Sequence, residues 1–271
     1  MAMTEQVSLM GAGLYDGIPD TITISELPTA SELDYVAADD FHEVMLTKIL
    51  PKCIEEDFDP KKLFEFDYYW VLRCLRIMNY GPYVEVGRIF CANCNEYTDG
   101  PFQCDVTAVE SKPVPPNVRD MLHISRNEFM NFQKDVDLKL LTIQDVLNSR
   151  KDKQFQDALG NHDSSFARLC YEITAIGGIP ADPVSTRTTI KSELSPADYR
   201  ILQAVSRELL DFGLRSGGKV RHTCTNCGSD DGRFFVFVDE QFFRPSLDSL
   251  REWRKNRDRR EDDDLHGVKT K

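Results

Sequence analysis

Arg88-Ile89-Phe90-Cys91-Ala92-Asn93-Cys94-Asn95, with Asp99-Gly100-Pro101-Phe102-Gln103-Cys104-Asp105-Val106 after it, returns later in the chain in a second copy. That copy reads Arg221-His222-Thr223-Cys224-Thr225-Asn226-Cys227-Gly228, then Asp231-Gly232-Arg233-Phe234-Phe235-Val236-Phe237-Val238. Each copy reads as a short extended run, a Cys-x-x-Cys turn, an Asp-Gly turn and a returning strand. Asn93 and Asn226 match, and Asn95 and Gly228 follow the second cysteine, where both residue types tolerate the left-handed backbone region. A turn carrying two thiolates supplies half of a tetrahedral zinc shell, and two such turns complete it. The repeat predicts one structural Zn2+ per chain on Cys91, Cys94, Cys224 and Cys227.

The 129 residues between Cys94 and Cys224 far exceed an ordinary ribbon loop. They read as a helical insertion between two hairpins, because closing a long loop costs entropy only logarithmically. With the Asp-Gly pairs aligned, Cys104 corresponds to Val236, a packed strand position rather than a fifth ligand. Cys53, Cys74 and Cys170 lie among apolar neighbours in predicted helices and read as buried thiols. Disulfides, and separate or incomplete metal sites, are the alternatives that spacing leaves open. A thioredoxin-like pair fits poorly, since its first cysteine opens a helix that lowers the thiol pKa. An iron–sulfur centre lacks its usual compact cysteine spacing. Four protein thiolates leave no open coordination position, so the metal is expected to stabilise rather than catalyse.

Outward from the knuckles, the fold class reads as α+β and predominantly helical, with a split zinc ribbon around the insertion. The expected organisation is an extended arm over 1–35, a helical region over 36–82, a first ribbon half over 83–110, a helical insertion over 111–216, a second ribbon half over 217–243, and a short helix with a charged tail over 244–271. Gly11, Gly13, Gly17, Pro19 and Pro28 break the arm, leaving Thr21-Ile22-Thr23-Ile24 as one short strand, with docking on a partner as its expected role. Asp39 to Leu50 reads as a helix ended by Pro51. Asp59-Pro60 then starts a helix carrying Leu63, Phe66, Trp70, Val71, Cys74, Ile77 and Met78 at helical spacing, closed by Asn79-Tyr80-Gly81-Pro82. Asp67 is expected on that helix's surface. In the insertion, Ser125 and Glu128 form a capping-box pattern before Phe129, Phe132 and Val136. Shorter helices are expected over Ile143 to Leu147 and Phe166 to Ile176. Ser195-Pro196 opens a stripe of Ile201, Leu202, Val205, Leu209 and Phe212 that Gly213 closes.

The chain has 271 residues, 41% of them apolar, which suffices for a core that does not rest on metal alone. No run approaches the roughly 18 consecutive apolar residues of a membrane span, and the first residues carry no pattern of a secretory signal. A formal charge of -12 argues against indiscriminate nucleic-acid binding, which draws on Lys and Arg neutralising phosphates. The one basic cluster, Arg251 to Arg260, is followed at once by Glu261-Asp262-Asp263-Asp264. There is no His-Glu-x-x-His, phosphate-cradling glycine loop or dinucleotide fingerprint, so no catalytic residue is nominated. A zinc-ribbon nucleic-acid-binding or transcription-associated module is the alternative role.

Ile77-Met78-Asn79-Tyr80-Gly81, then Cys91-Ala92-Asn93-Cys94, and the late Phe242-Phe243-Arg244-Pro245 resemble the baseplate hub proteins of T4-like contractile phage tails, over about residues 40 to 250. The resemblance implies a structural or assembly protein without catalytic activity. It implies other phage tail baseplate or hub proteins as partners, assembly in the host cytoplasm, and a place in the virion tail baseplate.

Overall fold

The computed structural model describes residues 3–28, 40–91, 93–108, 111–156, 162–213, 217–218, 221–230, 232–233, 236–237 and 243. The expected helix and charged tail after Phe243, including Arg251 to Arg260, lie outside the described residues. The chain is mixed α+β and mainly helical, and it forms two compact units. The first comprises Met1–Phe58, Tyr69–Ser111 and Leu214–Lys271; the second comprises Asp59–Tyr68 and Lys112–Gly213.

In the first unit, strands Thr4–Ser8 and Thr21–Ser25 pair antiparallel, with Val7 opposite Ile22. The Thr-Ile alternation puts Ile22 and Ile24 on one face, and both are fully buried. Ile24 bridges Ile54, Thr23 N–H donates to the Glu56 carboxylate, and Leu27 N–H donates to Asn79 Oδ1 at 2.9 Å. Trp70 Nε1 donates to the Ser8 carbonyl at 3.1 Å. The segment therefore packs into this unit through Val7, Leu9, Ile18, Ile22, Ile24 and Leu27 rather than forming an arm that awaits a partner. Gly13 and Gly17, at φ 74° and 78°, serve the reversal between the two strands.

Helix runs on past Pro51 instead of ending there. An α-turn over Phe41–Val44 widens into a π-helical stretch over Met45–Ile49, and Pro51 then sits near the start of an α-turn over Leu50–Cys53. Proline lacks an N–H and crowds the carbonyl four residues back, and a π-bulge relieves both faults.

The 16-residue helix Glu65–Tyr80 begins with acidic residues in its first turn, which complement the helix dipole. Gly81, at φ 77°, donates its N–H to the Ile77 carbonyl and closes it with a left-handed cap. Asp59 and Pro60 open a 3-10 turn over Pro60–Lys62 ahead of this helix rather than the helix itself. Tyr69, Val71, Leu72 and Leu75 are fully buried, as is Asp67, which the sequence placed on the surface. Phe243 is 1% exposed, and its ring stands 6.4 Å from Tyr80 and 5.9 Å from Phe41.

The second unit holds a four-stranded antiparallel sheet in the order His123–Ile124, Val136–Leu138, Ile173–Ile176, Ile179–Pro180. The sequence reading missed this sheet. The Ser125–Glu128 capping box is real but closes only a 3-10 turn, after which Val136 enters a strand. The helix expected over Phe166 to Ile176 spans Ser164–Glu172; β-branched Ile173, Thr174 and Ile176 then continue as a strand. Asp182-Pro183 starts a further unanticipated helix, Pro183–Glu193, with the Asp182 carboxylate capping Val184 and Ser185 N–H groups. Helices Ile143–Lys151 and Pro196–Leu210 complete the unit. Arg168 holds Glu65 at 2.6 Å and Glu172 at 3.1 Å in its interior. No helix among the described residues is long and apolar enough to cross a membrane.

Candidate metal centre

The first knuckle is the turn of a hairpin between Tyr83–Phe90 and Tyr97–Asp105, with Phe90 opposite Tyr97. The Cys-x-x-Cys segment is itself the reversal. Asp99 and Gly100 lie inside the returning strand, at an irregularity where the register jumps between Val86 and Arg88, so they form no separate turn. In the second copy Arg221–His222 likewise pairs directly with Gly232–Arg233 around its cysteines. Gly217–Gly218 pairs with Val236–Phe237, and Gly232–Arg233 runs beside Tyr83–Phe90. Two extended halves, far apart in sequence, thus form a split zinc-ribbon arrangement flanking the helical insertion.

The two knuckles share one backbone pattern. Cys91 N–H donates to the Glu96 carbonyl at 2.9 Å, and Cys224 N–H to the Ser229 carbonyl at 2.8 Å. Asn95 N–H returns to the Cys91 carbonyl at 2.9 Å, and Gly228 N–H to the Cys224 carbonyl at 2.8 Å. These bonds point the first and second sulfurs of each turn to the same side. Two arginines of the Glu65–Tyr80 helix hold the base of the first hairpin. Arg76, 1% exposed, donates to the Gly81 carbonyl and, at 2.6 Å, to the Tyr83 carbonyl. Arg73 donates to the Thr107 carbonyl at 2.8 Å.

The sulfurs of Cys91, Cys94, Cys224 and Cys227 all lie within 4.8 Å of one another. Cys91 Sγ is 3.7 Å from Cys227 Sγ, and Cys94 Sγ is 3.8 Å from Cys224 Sγ. A tetrahedral shell with Zn–S bonds of about 2.3 Å has sulfur–sulfur edges of about 3.8 Å, so the cluster has the dimensions of one four-thiolate zinc site. Its protonation chemistry agrees. Backbone N–H groups of Cys227 and Asn226 draw the Cys224 thiol down to about 6. The Asn93 amide, 3.5 Å from Cys227 Sγ, lowers that thiol with help from the Ser229 N–H. Cys94 receives a backbone bond at Glu96 that favours its thiolate, yet burial and hydrogen bonding to the other three sulfurs push it up to about 12. Four adjacent sulfurs cannot all be anionic without a cation, and a divalent ion that replaces the remaining protons removes that conflict.

The remaining cysteines stand apart from this chemistry. Cys53, Cys74 and Cys170 are buried, and burial pushes their thiols up to about 11, 12 and 12. Cys104 is a strand residue opposite Val84. Asn93 and the arginine clamp went unread as contributors to the site. The matched asparagines were visible, but which one reaches across to the opposite knuckle depends on how the two halves meet. The structure is that of a zinc-binding, largely helical structural module. No family model, curated protein or solved structure matches the chain.

Proposed function

We propose that this chain is a non-catalytic structural or assembly protein of the baseplate hub of a contractile phage tail. It assembles in the host cytoplasm with other baseplate or hub proteins and resides in the tail baseplate. The observation that carries the structural half is the closed shell: four thiolates fill a tetrahedral zinc and leave no position for substrate. The phage half rests on the motif resemblance. Affinity capture from infected cells, followed by protein identification, tests it. Recovery of tail baseplate proteins is expected, and a stable set of unrelated partners would overturn it.

A further inference from the structure

The four sulfurs differ in access. Cys91 and Cys224 are 1% and 2% exposed, Cys94 is partly exposed, and Cys227 is exposed. Cys227 is also the sulfur that the Asn93 amide reaches from the opposite knuckle. Behind it, across the site, stands the buried sulfur of Cys91 at 3.7 Å. We propose that Cys227 is a peroxide-reactive modification site, and that its oxidation exchanges the metal for a Cys91–Cys227 disulfide joining the two ribbon halves. This rests on the zinc reading of the same cluster.

The chemistry balances with hydrogen peroxide as oxidant. The Cys227 thiolate attacks one peroxide oxygen, the O–O bond breaks, and hydroxide leaves to give the Cys227 sulfenic acid. The Cys91 thiolate then attacks that sulfur, the S–O bond breaks, and a second hydroxide leaves. Two thiolates have lost two electrons, the peroxide has gained two, and two protons from solvent convert the hydroxides to water. A shell reduced to two thiolates no longer holds zinc as a closed tetrahedral site, so the ion departs. The halves stay tied because the new bond spans the knuckles, whereas a Cys224–Cys227 bond would leave them separate. Exposure decides where the oxidant enters, and the cross-site sulfur decides which bond forms. The Asn93 amide withdraws charge from the Cys227 thiolate and restrains the reaction.

The test uses the full chain purified under reducing conditions, with zinc measured by elemental analysis before any oxidant is added. Hydrogen peroxide is then titrated in, released zinc is followed with a chelating dye, and tryptic peptides are mapped without reduction. Trypsin places Cys91 in peptide 89–119 and Cys227 in peptide 222–233. The expected result is zinc release in step with a covalent link between these two peptides through Cys91 and Cys227. Asn93→Ala, which leaves all four ligands in place, should speed release severalfold. A Cys224–Cys227 disulfide within peptide 222–233, or zinc retained under excess peroxide, would overturn the proposal while leaving the zinc site standing. Protein isolated without zinc would overturn the zinc reading and this inference with it.

Discussion

Asn95 and Gly228 occupy the same step of the two knuckles, at φ 56° and 69°, and each returns its N–H to the carbonyl of the first cysteine. The left-handed conformation aims both turns, and the two residues pay for it differently. Gly228 has no Cβ and open space around it, so the cost of a side chain there is the backbone conformation alone. Gly228→Val is expected to cost about 2 kcal/mol of ribbon stability, the size of the left-handed penalty for a branched residue. Asn95→Gly is expected to be nearly neutral. Chelator competition on the zinc-loaded protein checks both: the valine variant should lose metal faster, and the glycine variant should not.

Arg76 couples the end of the Glu65–Tyr80 helix to the start of the first knuckle hairpin through the Gly81 and Tyr83 carbonyls. Arg76→Met keeps the bulk, removes both donors and leaves the buried Gly81 carbonyl and the part-buried Tyr83 carbonyl unmatched. A loss of roughly 3 kcal/mol or more is expected, from about 1.5–3 kcal/mol for each hydrogen bond to a charged group. Arg76→Lys should recover less than half, because an ammonium cannot span two carbonyls as the guanidinium fork does. Urea unfolding followed at the tyrosine and tryptophan signals measures the difference; equal stability of the methionine variant and the wild type would rule the clamp out.

Gly213 has φ 66°, and a Cβ placed on it would lie 2.3 Å from Phe66 Cβ and 2.7 Å from its Cγ. The obstructing atoms sit at the root of the Phe66 side chain, so rotamer change cannot clear them. Gly213→Ala should destabilise the second unit by about 2–4 kcal/mol, combining overpacking with left-handed strain. Gly178→Ala supplies the control. It has φ 74° with open space, and it should cost only about 1 kcal/mol. Thermal unfolding of the two variants side by side separates contact from conformation.

The four-cysteine cluster was legible because the repeat is local: Cys91 with Cys94, and Cys224 with Cys227, each sit within one turn. The long helix was legible through its apolar spacing, and the Pro196–Leu210 helix through Ser195-Pro196. What failed were readings in which a local signal serves a tertiary purpose. The Ser125–Glu128 box caps one turn because Phe129 and Phe132 pack edge-to-face on each other, at 5.4 Å, instead of continuing a helix stripe. Two- to four-residue strands such as His123–Ile124 carry too few positions for alternation to register, so the four-stranded sheet was invisible. Asp99-Gly100 has the composition of a turn, but the cysteine knuckle had already reversed the chain, so Asp99 pairs with Arg88 and Gly100 falls in the bulge beside it. The N-terminal strands read as an arm because their partners, Ile54, Glu56 and Asn79, lie well beyond any local window.

His123 and Asp137 face each other in register on neighbouring strands of that small sheet, with Nδ1 2.6 Å from Oδ1. The hydrogen bond to Asp137 raises the His123 pKa above its ordinary value, and the charges of Asp137, Asp135 and Glu128 add to it. The folded value therefore exceeds the unfolded one. The pair's stabilisation is fully present below the unfolded pKa, near 6.5, and is lost as pH rises through the higher folded value. Both side chains are about half exposed, at 55% and 43%, so the contribution to stability is small and should fade further in high salt. The titration itself is the sharper observable. An NMR titration should place the His123 imidazole above the ordinary histidine value, and Asp137→Asn, which keeps the shape and removes the charge, should bring it back down. The variant should also flatten any change in stability of the second unit between about pH 6 and pH 8, where a histidine with a raised pKa changes charge. A His123 that titrates at or below its ordinary value in the unaltered protein would show that the dyad is not formed in solution.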